Sequence, residues 1–128
     1  MEFRVSYGAV SVTSVGNLML TWEKLMNARA TAINERKPDA LLPLLADDFL
    51  WVTSFRHAPI GAHLEDMESF ILDAPLEAFE YESTIHNGED TIIGTHLITW
   101  DGVSQKVMAA AILKDGKVSK YHHMIKPA

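Results

Sequence analysis

The C-terminal half of the chain carries three two-residue turn signals at regular spacing. They are Asn87-Gly88, Asp101-Gly102 and Asp115-Gly116. Asn or Asp followed by Gly favours the tight turns that join antiparallel strands. Three such turns in succession predict four consecutive antiparallel strands, over 78–86, 91–100, 104–114 and 117–126. This meander constrains the fold most, because any helices must then pack on a face of a single sheet.

The N-terminal half predicts three helices and one strand. Apolar residues recur at three- and four-residue spacing from Leu18, which predicts a helix with Asn17 as its N-cap that ends before Pro38. A short leucine-rich helix, kinked at Pro43, is expected next. A strand over 49–55 and a helix over 62–73 follow.

This order of elements predicts an α+β fold. Three helices from the N-terminal half pack on one side of a curved antiparallel sheet. We expect a single domain over residues 18–128. Residues 1–17 are expected to form an N-terminal extension or an extra strand.

Composition excludes several classes of function. Hydrophobic residues make up 48% of the 128 residues, and the net charge is −6, without the basic stripe of a nucleic-acid binder. The chain has no cysteine, so it has no disulfide, thiol nucleophile or Cys-based zinc site. No HExxH motif or apolar run of about 20 residues is present. We therefore expect no metal, cofactor, nucleic acid or membrane partner, and a cytoplasmic location.

The phrase "ATAINERKPDALLPLLADDFLWVTS", followed by "PIG" and a helix, resembles the nuclear transport factor 2-like superfamily. The resemblance covers residues 18–126. The superfamily includes SnoaL-like and ketosteroid isomerase-like members. It implies a cone, in which the sheet curls around a pocket that helices close, and a homodimer through the open sheet face. Fold alone does not assign a reaction.

Strand alternation predicts which side chains face the interior of the cone. His122 and His123 must point to opposite faces, and exposed Lys120 favours the set with His123 inside. His96 is predicted inside with Trp100, because the threonine-rich face of that strand looks half-exposed. On the strand over 104–114 both faces are apolar, and the register implied by the family favours Met108.

The predicted pocket is aromatic and apolar with a few polar groups. The candidate catalytic residues are His96, His123 and Tyr81, and the candidate ligand-binding residues are Arg29, Trp51, Thr53, Phe55, Ser83, Trp100, Met108 and Tyr121. Such a lining is typical of a site for a small hydrophobic molecule. Arg29 is predicted to point inward, so its charged end must either extend back to water or pair with a negative charge. The alternatives for that partner are Asp47, Asp48 and a ligand carboxylate.

Three functions remain open. The first is a small-molecule-binding domain with no assigned reaction. The second is a lyase or isomerase, dehydratase- or cyclase-like, in which His96 and His123 act as general acid and base. The residues that the steroid isomerase reaction requires are absent, since their positions carry Arg29, Thr53 and Ala110. The third function is a structural dimerisation module with a filled cone.

Overall fold

The computed structural model describes residues 19–53, 60–73 and 78–125, with the backbone alone at residues 53, 60–62 and 123–125. The helices are α1 (Trp22–Glu35) and α2 (Met67–Leu72), and the strands are β1 (Leu45–Thr53), β2 (Ile60–His63), β3 (Ala78–Asn87), β4 (Thr91–Trp100), β5 (Val103–Lys114) and β6 (Lys117–Ile125). The predicted extension over 1–17, with Asn17 as a helix cap, lies outside the described residues.

The predicted C-terminal meander is confirmed. Asp101 and Gly102 both have positive φ, as do Asp115 and Gly116, which gives two-residue turns of the type that matches strand twist. The first connection is longer, because three residues separate β3 from β4 and the Gly88 amide donates to the Thr91 carbonyl at 2.9 Å.

The described strands form one sheet in the order β2-β1-β6-β5-β4-β3. The meander is antiparallel, as predicted, whereas β1 pairs parallel with β6, so the sheet is mixed. Strand β2 was not predicted, and its last two residues, Ala62 and His63, were expected to begin the third helix. Register shifts interrupt β1, β3 and the β5–β6 pair, and irregularities of this kind bend a sheet.

Helix α1 is held against the sheet at its first turn. It begins four residues later than predicted, at Trp22, where Thr21 is the N-cap and accepts a hydrogen bond from the Lys24 amide at 3.2 Å. The Trp22 amide donates to Asn87 Oδ1 at 2.8 Å. The Trp22 indole lies directly on Gly94 of β4, where a Cβ would collide with it. Glycine at position 94 therefore sets how closely α1 approaches the sheet.

Proline shapes the segment after α1. The predicted leucine-rich helix is present as two 3-10 turns, Pro38–Ala40 and Leu42–Leu44. Each turn has a proline in its first two positions, where the missing N–H costs nothing but a longer helix is interrupted. Strand β1 then begins at Leu45, earlier than expected. The third predicted helix starts as a 3-10 turn, Leu64–Asp66, and continues as α2.

The two faces of the sheet differ sharply in burial. The inner face, which α1 covers, carries the buried side chains Ile92, His96, Val107 and Ala111. The outer face carries the alternate residues of the same strands, among them Met108, which is 49% exposed. The core lies between α1 and the inner face.

Candidate functional site

The most distinctive group on the inner face is the guanidinium of Arg29. Its Cζ lies over three aromatic rings, 4.6 Å from the centroid of Phe79, 5.0 Å from that of Tyr121 and 5.4 Å from that of Trp51. Each distance is within the range in which a ring face attracts a cation. Its Nη1 donates a hydrogen bond of 2.8 Å to the Tyr121 hydroxyl. We call Arg29, Trp51, Phe79 and Tyr121 the arginine cage.

Separate elements position each member of the cage. Arg29 is half-buried and lies one helical turn after buried Leu25 on α1. Asn34 of the same helix bonds both the amide and the carbonyl of Phe79 at 3.0 Å, which fixes the start of β3. Trp51 and Tyr121 are paired on β1 and β6. The cage therefore depends on contacts between segments that are distant in sequence.

Further aromatic contacts hold two rings of the cage, those of Tyr121 and Trp51. The Tyr121 ring stacks on Trp22, with centroids 6.1 Å apart, and the Trp51 ring meets Phe70 edge-on at 4.8 Å. These contacts hold Trp22 and Tyr121 in the core, both nearly fully buried. The rings around Arg29 are therefore packed in place.

Arg29 and Tyr121 also influence each other electrostatically. Burial raises the pKa of the Tyr121 hydroxyl above its ordinary value of 10.0, while the charge and hydrogen bond of Arg29 act in the opposite direction. Burial is the larger influence. Tyr121 is therefore a neutral phenol at physiological pH, and it accepts a hydrogen bond from a permanent cation.

Arg29 forms no ion pair with the described residues. Of the two aspartates considered as its partners, Asp48 is exposed and lies 3.5 Å from Lys114. Asp47 is exposed in β1. The third alternative from the sequence, a ligand carboxylate, stays a prediction.

The cage borders a small cavity of about 20 Å³. Its lining is aliphatic and aromatic apart from Arg29 and the Tyr121 hydroxyl: Leu25, Arg29, Leu41, Leu45, Phe49, Trp51, Met67, Val118 and Tyr121. A volume of this size holds one water-sized group, whereas sites for drug-sized ligands measure about 300–1,000 Å³. Among the described residues, the space beside the cage is therefore almost completely filled by side chains.

The candidate catalytic residues are not gathered at this cavity. His96 does face inward, as predicted, but it is 1% exposed and its ring stacks on Phe79 at 4.3 Å. Tyr81 is half-buried and its hydroxyl lies 3.0 Å from Thr84 Oγ1. Neither lines the cavity. The side chain of His123 lies outside the described part of the structure, although its backbone pairs with Thr53 and Ala109.

The inward placement of Met108 was wrong. In the β4–β5 pairing, His96 lies opposite Val107 and Thr95 lies opposite Met108. Since directly paired residues share a face, Val107 is inside and Met108 is outside. Both faces of β5 are apolar, so alternation does not indicate which one is inside. The register implied by the family resemblance differs by one residue from the observed register.

The inward placement of Ser83 was also wrong. Register shifts in β3 fall between Tyr81 and Ser83 and again beyond Thr84, and the first of these turns Ser83 to the outer face. Its hydroxyl lies 2.6 Å from Thr95 Oγ1 there. A β-bulge of this kind reverses the side chains that follow it as far as the next bulge, and it leaves no signal in simple alternation.

The remaining predicted pocket residues fall in three groups. Trp51, Tyr121 and Arg29 lie together in the cage. Trp100, at the last position of β4, is 46% exposed and does not line the cavity, because alternation indicates a face but not whether anything covers it. The Thr53 side chain and all of Phe55 lie outside the described residues.

Part of the lining was not predicted. Regular alternation would place Val118 on the same face as exposed Lys120, yet Val118 is fully buried because a register shift between β5 and β6 separates the two. Leu45 was assigned to a helix and instead opens β1. A valine between Lys117 and Ser119 is the signal that could have indicated a buried position.

No group of three or more His, Asp or Glu side chains among the described residues is arranged to hold a metal ion. In the same part of the chain, no helix is long and apolar enough to cross a membrane.

The overall structure matches proteins of known structure. An NTF2-like protein of unknown function from Burkholderia xenovorans superposes with a TM-score of 0.66 at 16% identity, covering 81% of each chain. One from Cytophaga hutchinsonii has a TM-score of 0.64 at 13% identity, covering 80% of this chain and 88% of its own. A hypothetical protein with a ketosteroid isomerase-like fold from Catenulispora acidiphila, in complex with trimethylamine, has a TM-score of 0.58 at 18% identity, covering 81% and 85%.

These similarities establish the fold. The chain has the α+β cone fold of the nuclear transport factor 2-like superfamily, as the sequence resemblance predicted. No protein-family model matches the sequence, and the search of curated proteins finds no match. The identities are too low to transfer a reaction, so the function must be argued from the site.

Proposed function

We propose that this protein is a small-molecule-binding domain whose site is the cavity beside the arginine cage, with no reaction assigned. The observation that carries the proposal is a half-buried guanidinium that lines an apolar cavity and forms no ion pair with the described residues. A charge held away from water without a counter-charge is costly, and a ligand would offset that cost. Trimethylamine bound in one protein of this fold supports the binding of small molecules by such cones.

The ligand must enlarge the cavity. Since about 20 Å³ holds only one water-sized group, a larger molecule would displace side chains at its border. Met67 is the suited residue, because it lines the cavity and methionine changes rotamer easily. We therefore expect binding with side-chain rearrangement and little backbone change.

An NMR titration tests this function. A panel of small neutral and charged aromatic compounds is added to ¹⁵N-labelled protein, and amide shifts are mapped on the chain. We expect at least one compound to shift the amides of Leu25, Trp51 and Val118 while those of Met108 and Ile112 on the outer face stay in place. A panel that shifts none of the cavity amides would contradict the proposal.

The second candidate is a structural dimerisation domain, and the small cavity favours it. On this reading the cone is simply a filled core. The Leu41→Ala variant separates the two functions, because it enlarges the cavity at a buried position. A binding domain would accept larger ligands in this variant, whereas a structural domain would only lose stability, by about 2–5 kcal/mol.

We also propose that the chain forms a homodimer through the outer face. Met108 and Ile112 are 49% and 42% exposed on this face, and Ala110 lies between them. Apolar side chains exposed together usually mark a protein contact. Light scattering should give twice the 14.3 kDa chain mass, and Ile112→Lys should reduce it to one chain. A monomeric wild-type protein at high concentration would contradict this.

The acid–base alternative has less support. His96 is buried against Phe79 and does not line the cavity, so a substrate there would not reach its imidazole. A cytoplasmic location remains a proposal that rests on the absence of cysteine.

A further inference from the structure

The Arg29 guanidinium is surrounded by aromatic rings and has one side-chain hydrogen-bond acceptor among the described residues. The centroids of the Phe79, Tyr121 and Trp51 rings lie 4.6 to 5.4 Å from its Cζ. A guanidinium has five N–H donors in its plane, and its one side-chain hydrogen bond among the described residues goes to Tyr121. Ring faces attract the cation but accept little from its N–H groups.

From this arrangement we propose that the ligand of the cavity is a small carboxylate with an apolar body. The inference rests on the binding function proposed above and names the chemical class of the ligand. A carboxylate matches the edge of a guanidinium with two parallel N–H···O bonds, which a neutral hydroxyl or amide cannot reproduce. The aliphatic and aromatic walls of the cavity suit an apolar remainder.

The charge expected of the ligand follows from the Arg29 guanidinium at the centre of the cage. Three aromatic rings around one point are an arrangement that commonly receives an ammonium ligand. In this chain the point is already filled by Arg29, so an added cation would meet a like charge in a partly buried place. An anion gains from the same charge.

The Tyr121 hydroxyl reinforces this preference. It accepts the Arg29 hydrogen bond at 2.8 Å, which leaves its own O–H proton directed away from the guanidinium. Because Tyr121 lines the cavity as well, a carboxylate oxygen at the guanidinium edge lies next to a phenol and not next to another anion. The site therefore combines a permanent positive charge with a neutral hydroxyl.

Isothermal titration calorimetry with sodium benzoate, sodium acetate and benzyl alcohol tests the inference. Benzoate and benzyl alcohol share a ring and differ in charge, and acetate has the carboxylate without the ring. We expect benzoate to bind at least tenfold more tightly than either of the others. Benzoate binding should weaken as the salt concentration is raised, because the contact is ionic.

Two variants of Arg29 locate the charge. Arg29→Met keeps the length of the side chain and should weaken benzoate binding at least tenfold, and benzyl alcohol binding by less than about threefold. Arg29→Lys keeps the charge but loses the two parallel N–H donors of the guanidinium, and it should weaken benzoate binding about fivefold. The matched control is Arg36→Met, since Arg36 ends the same helix, bonds the Ile71 carbonyl and does not line the cavity. Thermal unfolding monitored by circular dichroism shows whether each variant is folded. If Arg29→Met is not folded, Arg29→Lys still tests the role of the side chain.

The outcomes distinguish the two proposals. Benzoate and benzyl alcohol binding equally, with no effect of either Arg29 variant, would overturn the carboxylate class and leave the binding function intact. Acetate binding as tightly as benzoate would overturn the apolar body. Failure of all three compounds to bind, together with unchanged cavity amides in the NMR titration, would overturn the binding function itself.

Discussion

The inner and outer faces of the sheet are built from neighbouring residues of the same strands, yet they follow different chemistry. On β5, Val107 is 1% exposed and Met108 is 49% exposed. The inner face buries aromatic and aliphatic groups around a single cation. The outer face leaves apolar side chains in contact with water and places a polar cluster beside them. The comparison shows that an apolar residue in this sheet does not by itself indicate the core.

The polar groups of the two faces differ in the same way. On the outer face Glu82 accepts from Thr95 Oγ1 at 2.8 Å and lies 3.3 Å from Lys106, so its charge is compensated within the sheet. On the inner face Arg29 contacts ring faces and a hydroxyl, with no carboxylate partner among the described residues. The proposed binding function rests on this difference, because a partly buried charge without a counter-charge is costly.

The largest effect should come from reversing polarity on one face at a time. Val107→Asp would bury a carboxylate in the core and should lower the free energy of unfolding by at least about 3 kcal/mol. Met108→Asp, one residue away, should change it by less than about 0.5 kcal/mol while weakening the proposed dimer. Urea denaturation followed by circular dichroism measures both. If Met108→Asp unfolds the protein and Val107→Asp does not, the assignment of faces is reversed.

A methyl group added on the inner face should have the next largest effect. In Gly94→Ala the new Cβ meets the Trp22 indole and the Ser83 carbonyl, so α1 must move away from the sheet. We expect a loss of about 3 kcal/mol in urea denaturation. Ser104→Thr adds the same group at an exposed position of β5 and should change stability by less than about 0.5 kcal/mol. Equal stability of the two variants would mean that Trp22 does not pack on Gly94.

Alkaline pH should weaken the inner face through Tyr121. Since the pKa of Tyr121 is raised in the folded state, the unfolded chain loses this proton first as pH rises above about 10. The free energy of unfolding should then fall by at most about 1.4 kcal/mol per pH unit until the folded tyrosine also ionises. Below about pH 9 the group contributes no pH dependence. The stability difference between wild type and Tyr121→Phe should therefore narrow between about pH 9 and about pH 11, and a constant difference would contradict the raised pKa.

The smallest effect concerns the contact that joins β3 to the start of α1. Asn87→Ala removes the acceptor for the Trp22 amide and should cost about 1 kcal/mol in thermal or urea unfolding. Asn27→Ala, at an exposed position of the same helix, should be neutral or slightly stabilising because alanine is a better helix former. Equal stability of the two variants would show that the Asn87 side chain has no specific role at the start of α1.

Much of the fold could be predicted because its signals are local. The Asp-Gly turns require positive φ, which these residues adopt readily, so the hairpins on either side of β5 follow from four residues. Pro38 ends the preceding helix for an equally local reason. The position of Arg29 on the covered side of α1 followed from helical spacing alone.

The site was only partly predictable because its assembly depends on strand pairing. Arg29, Trp51 and Tyr121 were named from the sequence and do lie together, whereas Phe79 was not assigned to the site. Ser83 and Met108 were assigned to the wrong face because one bulge or a one-residue slip reverses a strand. Neither event changes the pattern of polar and apolar residues that a reader of the sequence sees.

By itself, the sequence determined the strand meander, the helices and the apolar character of the interior, since turn residues and periodicity act over a few neighbouring positions. The tertiary structure alone decided which face of β5 is the core, where β3 bulges and how small the cavity is. Those properties come from hydrogen-bond register and side-chain packing between segments distant in the chain. The contact of Arg29 with rings from β1, β3 and β6 exists only once those segments meet.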